Sequence, residues 1–126
     1  RWGRWPYLFT PMLRQVLKSK IHRALITDAS IDYEGSIDIP ADLVEEVGLC
    51  EGEKVLVASI TTGARLETYV QVGEPHTGRI IMNGGAAHRI GKGERVSIMA
   101  FGLSHEPVLA QKVVLNERNE IDKMGR

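Results

Sequence analysis

Four short clusters hold most of the side chains that could do chemistry in this chain: "Lys18-Ser19-Lys20-Ile21-His22-Arg23", "Tyr33-Glu34-Gly35-Ser36", "Thr61-Thr62-Gly63-Ala64-Arg65-Leu66-Glu67-Thr68-Tyr69" and "Asn83-Gly84-Gly85-Ala86-Ala87-His88". A serine hydroxyl can attack a carbonyl if something activates it. Lysine and arginine can hold carboxylates, arginine through a planar two-pronged contact. A phenol within reach can donate a proton. Each cluster also has an ordinary reading: an edge strand kept apart by lysines, a hairpin turn, a second hairpin, and a turn into a short helix. A Gly-Ser pair arises by composition once in ~200 residues, so alone it carries little. His22, His76, His88 and His105 lack metal-ligand spacing, and Cys50 has no second cysteine with which to build a zinc site. Neither a phosphate loop nor a dinucleotide fingerprint is present. A Ser-His-Asp group stays open on sequence alone, although there is no nucleophile-elbow motif.

Something must position these side chains. At 126 residues the chain is long enough for one domain with a real core. Lys+Arg and Asp+Glu both number 16, so bulk charge does not hold it to nucleic acid. Zero net charge also favours self-association. The single cysteine fits a reducing, cytoplasmic setting. No apolar run reaches the ~18–20 residues that span a bilayer.

The opening "RWGRWPYLFTP" holds both tryptophans and differs in character from the rest of the chain. Residues 1–11 read as an artificial or upstream-translated extension, or else as an aromatic arm that docks on a partner. The domain is expected at 12–115, with a polar tail from Asn116 that frays.

Within the domain, short β-branched segments bounded by Gly, Pro or Asn predict strands at 13–27, 36–39, 54–60, 65–72, 79–82, 94–101 and 108–115. Their number and spacing predict a mainly β barrel or sandwich. In a strand, Lys18, Lys20 and His22 share one face. "IPADLVEEVGL" predicts a short helix, with Pro40 at its start and Gly48 as the residue that ends it. A second short helix is expected at 85–90. Both helical segments continue through Gly and Glu into a basic-Val pair, a faint rhythm of two equivalent halves.

Taken in order and spacing, "KIHRA" (20–24), "YEGS" (33–36), "TGARLETY" (62–69) and "NGGAAH" (83–88) resemble the bacterial pyruvoyl-dependent aspartate 1-decarboxylases, from Met12 to about Leu115. The resemblance implies a double-psi β-barrel, assembled as a homotetramer with active sites between subunits. It implies cleavage between Gly35 and Ser36, with Ser36 becoming a covalently bound pyruvoyl group. That ketone would form a Schiff base with L-aspartate and release CO₂ and β-alanine, a pantothenate precursor.

By the same resemblance, Thr68 supports the cleavage and Tyr69 is the proton donor. Arg65 binds a substrate carboxylate, while Lys20, His22 and Asn83 line the pocket. The backbone of Gly84, Gly85 and Ala86 lies near the substrate, and Tyr33 flanks the cleavage site. Some members need a separate maturation factor. Departures are Asp32 for a frequent histidine, Ala58 where some members carry tryptophan, Gly85 for alanine, and the loop at 74–78.

The chemistry makes demands of its own. An amide resists attack by a weak hydroxyl nucleophile, so the peptide must be distorted or its oxyanion stabilised. Gly35 is expected to help by admitting strained backbone angles. Decarboxylation needs an electron sink that no standard side chain supplies. Strand alternation raises one tension: Thr68 and Tyr69 point to opposite faces.

A rival reading rests on residues 36–55, whose strand, Pro, helix, Gly, strand rhythm resembles swapped-hairpin DNA-binding regulators of the antitoxin type. It covers scaffold positions only and leaves the Arg65–Tyr69 and Asn83–His88 clusters unexplained.

Overall fold

In the computed structural model, residues 12–125 are described, so the reading of 1–11 lies outside the described residues. The chain is mainly β, as expected of a double-psi barrel. The strands are β1 (Arg14–Leu25), β2 (Asp28–Ser30), β3 (Ser36–Pro40), β4 (Lys54–Ser59), β5 (Arg65–Gly73), β6 (Ile81–Asn83), β7 (Arg95–Ser104), β8 (Gln111–Leu115) and β9 (Ile121–Gly125). They form one sheet in the order β2-β6-β3-β5-β4-β7-β1-β8-β9. Three neighbouring pairs are parallel: β1 with β8, β2 with β6, and β3 with β5. Parallel neighbours need crossover connections, so the chain cannot be a simple meander.

Alternation sorts each strand into two faces. Ile21, Ile37, Ile39, Val57, Val70 and Ile98 turn inward and are fully buried in one core. Helix α1 (Ala41–Glu46) caps part of it with Leu43 and Val44. Pro40 precedes the helix, and Gly48 ends it at φ +74°, where a side chain would be strained. Lys18 donates to the Gly48 carbonyl at 2.8 Å and pairs with Glu53 at 3.0 Å, so it secures this corner.

The second expected helix is a 3₁₀ turn at Gly84–His88. Both helical segments run on through a turn into a strand, β4 and β7 respectively, in keeping with the two-half rhythm.

Three expectations need correction. The polar tail does not fray: residues 116–120 turn, and β9 pairs antiparallel with β8. The turn is held by Asn119, whose side chain bonds both backbone groups of Leu25 and the carbonyl of Gly78. The run expected as one strand at 13–27 stops at Leu25, and a separate three-residue β2 comes next. Gly35 has no positive φ, and a Cβ on it would meet nothing within 4 Å, so it does not use the left-handed backbone region that favours glycine.

Candidate active site

Ser36 opens β3 directly after the exposed stretch 31–35 and is itself buried. Inward Ile37 and Ile39 force Ser36 and Asp38 to the opposite face. Parallel β5 sets Val70 beside Ile37 and Gln71 beside Asp38, which puts Tyr69 and Gln71 on that same face. Antiparallel β6 sets Asn83 beside Ser36 and Ile81 beside Asp38. Three strands thus present Ser36, Asp38, Tyr69, Gln71 and Asn83 together.

The polar groups are joined by hydrogen bonds. Asn83 Nδ2 donates to Ser36 Oγ at 3.0 Å and to Asp38 Oδ1 at 3.1 Å, and the Ser36 hydroxyl donates to Gln71 Oε1 at 3.0 Å. Asp38, Gln71 and Asn83 line a cavity of about 560 Å³ with Tyr33, Tyr69 and Arg79; buried Ser36 does not line it and sits behind its partners Asn83 and Gln71. Burial raises the pKa of Asp38; the Asn83 hydrogen bond opposes this, Glu51 adds to it and Arg79 opposes it. Asp28, Glu34 and Asp38 face this cavity against Arg79 alone. Within one chain it is therefore not the basic pocket that a dianionic substrate calls for.

The expected cations lie elsewhere. The cavity is lined by neither Lys20, His22 nor Arg65. His22 Nδ1 is 2.8 Å from Ser97 Oγ; Ser97 pairs with Ala58, and Ala58 with Arg65. Lys20 stands in the next row, opposite Met99. This basic face crosses β1, β7, β4 and β5. Ala58 adds only a methyl group between His22 and Arg65. Along β5, Arg65 is four residues from Tyr69, or ~13 Å of extended chain. β1 is four ladder steps from β3 in the strand order. The pKa of His22 is lowered by burial, then by Lys20 and Arg23.

Thr68 lies on the inward-facing side of β5, opposite Val55, while Tyr69 is exposed opposite Lys54. Gly84, Gly85 and Ala86 do not line this cavity either. Gly84 instead packs against the chain just before Ser36: at φ +70°, its Cβ would stand 2.6 Å from Gly35 Cα and 2.8 Å from the Tyr33 carbonyl oxygen. Sequence reasoning missed Asp38, Gln71 and Arg79. Period-two counting from Ser36 and Tyr69 would have reached the first two.

Fold and site together define a mainly β enzyme, with a hydrogen-bonded, buried serine at the start of a strand and a phenol on the cavity that its partners line. The chain belongs to the aspartate decarboxylase family, whose description matches residues 12–122. The aspartate 1-decarboxylase of Thermotoga sp. (strain RQ2) is 46% identical over 110 residues, covering 87% of this chain and 96% of the relative. That of Corynebacterium efficiens is 59% identical over 90 residues, covering 71% of this chain and 66% of the relative's length. That of Bacillus subtilis is 40% identical over 120 residues, covering 90% of this chain and 92% of the relative. No helix among the described residues is long and apolar enough to cross a membrane.

Proposed function

We propose that this chain decarboxylates L-aspartate to β-alanine and CO₂ in the cytoplasm, after cutting itself between Gly35 and Ser36. Ser36 Oγ attacks the Gly35 carbonyl carbon, the C–N bond breaks, and an ester replaces the amide. Loss of the Ser36 Cα proton then expels the Gly35 carboxylate and leaves dehydroalanine. Water adds, ammonia departs, and a pyruvoyl group remains at position 36. The fragments are 1–35 and 36–126.

One observation carries this reading: Ser36 Oγ is held by Asn83 and Gln71 beside Tyr69, directly after a segment against which Gly84 packs. Residues 31–35 are exposed and outside any strand, so a break before Ser36 leaves the pairing of β3 from Ile37 onward intact. The pyruvoyl group fits here because position 36 is paired with Asn83 of β6 and bonded to Gln71 of β5, two residues that line a cavity roomy enough for a small amino acid. When formed, it supplies a ketone that condenses with the substrate amine and takes up the electrons of the broken bond.

Tyr69, exposed at the cavity, donates the proton to the carbon that loses CO₂. Asn83 and Gln71 orient the serine, and Thr68 supports the cleavage from the other face of β5. Arg65, Lys20 and His22 bind the substrate carboxylates from a second copy of the chain, in a homotetramer whose sites lie between subunits. The separation of these cations from Ser36, and the acidic lining of the cavity, support that sharing.

Denaturing mass spectrometry of the purified chain tests the reading. Two fragments cut before residue 36 are expected, with CO₂ released from L-aspartate. Ser36→Ala should stay intact and inactive. A wild-type chain that stays whole and releases no CO₂ would sink the proposal.

A further inference from the structure

Asp38 has no role in the bond changes of the cleavage, yet it touches the group that touches the serine. Asn83 has one amide nitrogen and one carbonyl oxygen, and its two ends are interchangeable in shape. Its nitrogen lies 3.1 Å from Asp38 Oδ1 and 3.0 Å from Ser36 Oγ. An ionised carboxylate only accepts hydrogen bonds. Turned over, Asn83 would set its carbonyl oxygen against that carboxylate. It would also give the single Ser36 proton two acceptors, itself and Gln71 Oε1.

We propose that Asp38 is a positioning residue for self-cleavage: its carboxylate locks the Asn83 side chain so that the NH₂ group, not the carbonyl, faces Ser36 Oγ. The inference rests on the proposed function of the chain. The orientation matters because of where the electrons go. Ser36 Oγ becomes the ester oxygen and then leaves as part of the Gly35 carboxylate. Negative charge grows on that atom as the Cβ–O bond breaks, and an N–H aimed at it stabilises the change, where a carbonyl would oppose it.

Other charges act on Asp38. Arg79 and Glu51 influence its ionisation, and Asp28, Tyr33, Glu34 and Tyr69 line the same cavity. Burial raises its pKa, so protonation begins above the ordinary aspartate range as pH falls.

Freshly synthesised chain is followed by denaturing mass spectrometry from roughly pH 4 to 8, across the carboxylate and histidine ranges. Wild-type cleavage is expected to slow toward acid. Asp38→Ala should cleave about tenfold more slowly at neutral pH, the size of losing one hydrogen bond to a charged group, and Asp38→Asn, which offers Asn83 either an acceptor or a donor and so no longer enforces one orientation, should fall between it and wild type. Both should lose the acid limb that Asp38 imposes. Thermal melts separate this from misfolding, because Asp38→Asn removes a carboxylate that burial disfavours and should melt no lower than wild type.

A second readout needs no cleavage. In the intact Ser36→Ala chain, the Asn83 side-chain NH₂ resonances, identified by their loss in Asn83→Ala, should shift as Asp38 titrates and stay still in Asp38→Asn. Wild-type cleavage rates and acid limb in Asp38→Asn, or NH₂ resonances that ignore the titration, would overturn the proposal. A wild-type chain that never cleaves would instead remove the proposed function, while the resonances still decide the Asp38–Asn83 pairing.

Discussion

Gly84 meets Gly35 so closely that a Cβ on Gly84 would lie 2.6 Å from both the Cα and the nitrogen of Gly35. The obstructing atoms are backbone, which cannot swing aside as a long side chain can. Gly84 also sits at φ +70°, where a side chain costs ~1–2 kcal/mol before any clash. Gly84→Ala should therefore destabilise the fold by ~2–4 kcal/mol, strain and overpacking combined. It should also displace Gly35 from Ser36 Oγ and slow cleavage. Gly85→Ala is the control, because its Cβ meets nothing within 4 Å. Urea denaturation of both variants, in a Ser36→Ala background, checks the difference.

Asn119 makes a comparable prediction far from the cavity. It is 3% exposed and at φ +58°. Its side chain accepts from Leu25 N and donates to the carbonyls of Leu25 and Gly78, all at 2.8 Å. Asn119→Ala leaves three part-buried backbone groups without their partner, so a loss of ~1–3 kcal/mol is expected. Asn119→Asp should be at least as damaging, since a carboxylate cannot donate to two carbonyls. Thermal unfolding of the two variants tests this; equal stability to wild type would deny Asn119 its role as the clasp of the tail.

Asn119 also shows what was hard to read in the sequence. Its three bonds join residues 94 and 41 positions away in the chain, and no local pattern signals that reach. The polar run after Asn116 therefore read as frayed, although β9 pairs with β8 there. Local signals fared better. Alternation placed β3, β4, β5 and β7 to within a few residues, and Pro40 and Gly48 framed α1 because proline fixes φ at a helix start and glycine admits the positive φ that ends one.

The site was legible in part for the same reason. Ser36, Tyr69 and Asn83 stand in short motifs, whereas Asp38 and Gln71 enter through the β3–β5 register, which only tertiary pairing fixes. Gly35 invited an argument from backbone freedom; the glycine that needs its freedom is Gly84, across the contact.

His22 gives a stability prediction with a definite sign. Its pKa is lowered from 6.5 by burial, then by Lys20 and Arg23. The unfolded chain thus binds the proton more readily than the folded one. The neutral ring contributes fully above about pH 6.5, and that contribution is lost as pH falls from there through the lowered folded value. His22→Gln should flatten this part of the stability curve. Denaturation midpoints from pH 7.5 down to 5, a range that brackets the ordinary histidine value, would show it. An unchanged slope in the variant would assign the acid loss to other groups.

The separation of Arg65 from the Ser36 cavity leads to the strongest test of a shared site. If Arg65 of one chain serves Ser36 of another, two inactive variants can repair each other. Arg65→Ala keeps a Ser36 that cleaves but binds substrate poorly. Ser36→Ala keeps Arg65 but forms no ketone. Co-expressed and assembled together, the two should recover about a quarter of wild-type activity, because in a random mixture that share of sites pairs a cleavable Ser36 with an intact Arg65 across an interface. Separately purified and then mixed, they should recover less, to the extent that the assemblies exchange subunits slowly. The measurement is CO₂ release from L-aspartate, normalised to total chain. Were Arg65 to act within its own chain, each Ser36 that cleaves would lack its cation, and no mixture would exceed the Arg65→Ala variant alone. Recovery on co-expression would thus assign the basic face across β1, β7, β4 and β5 to the neighbouring subunit's reaction, and would explain why the cavity beside Ser36 can be lined mainly by carboxylates.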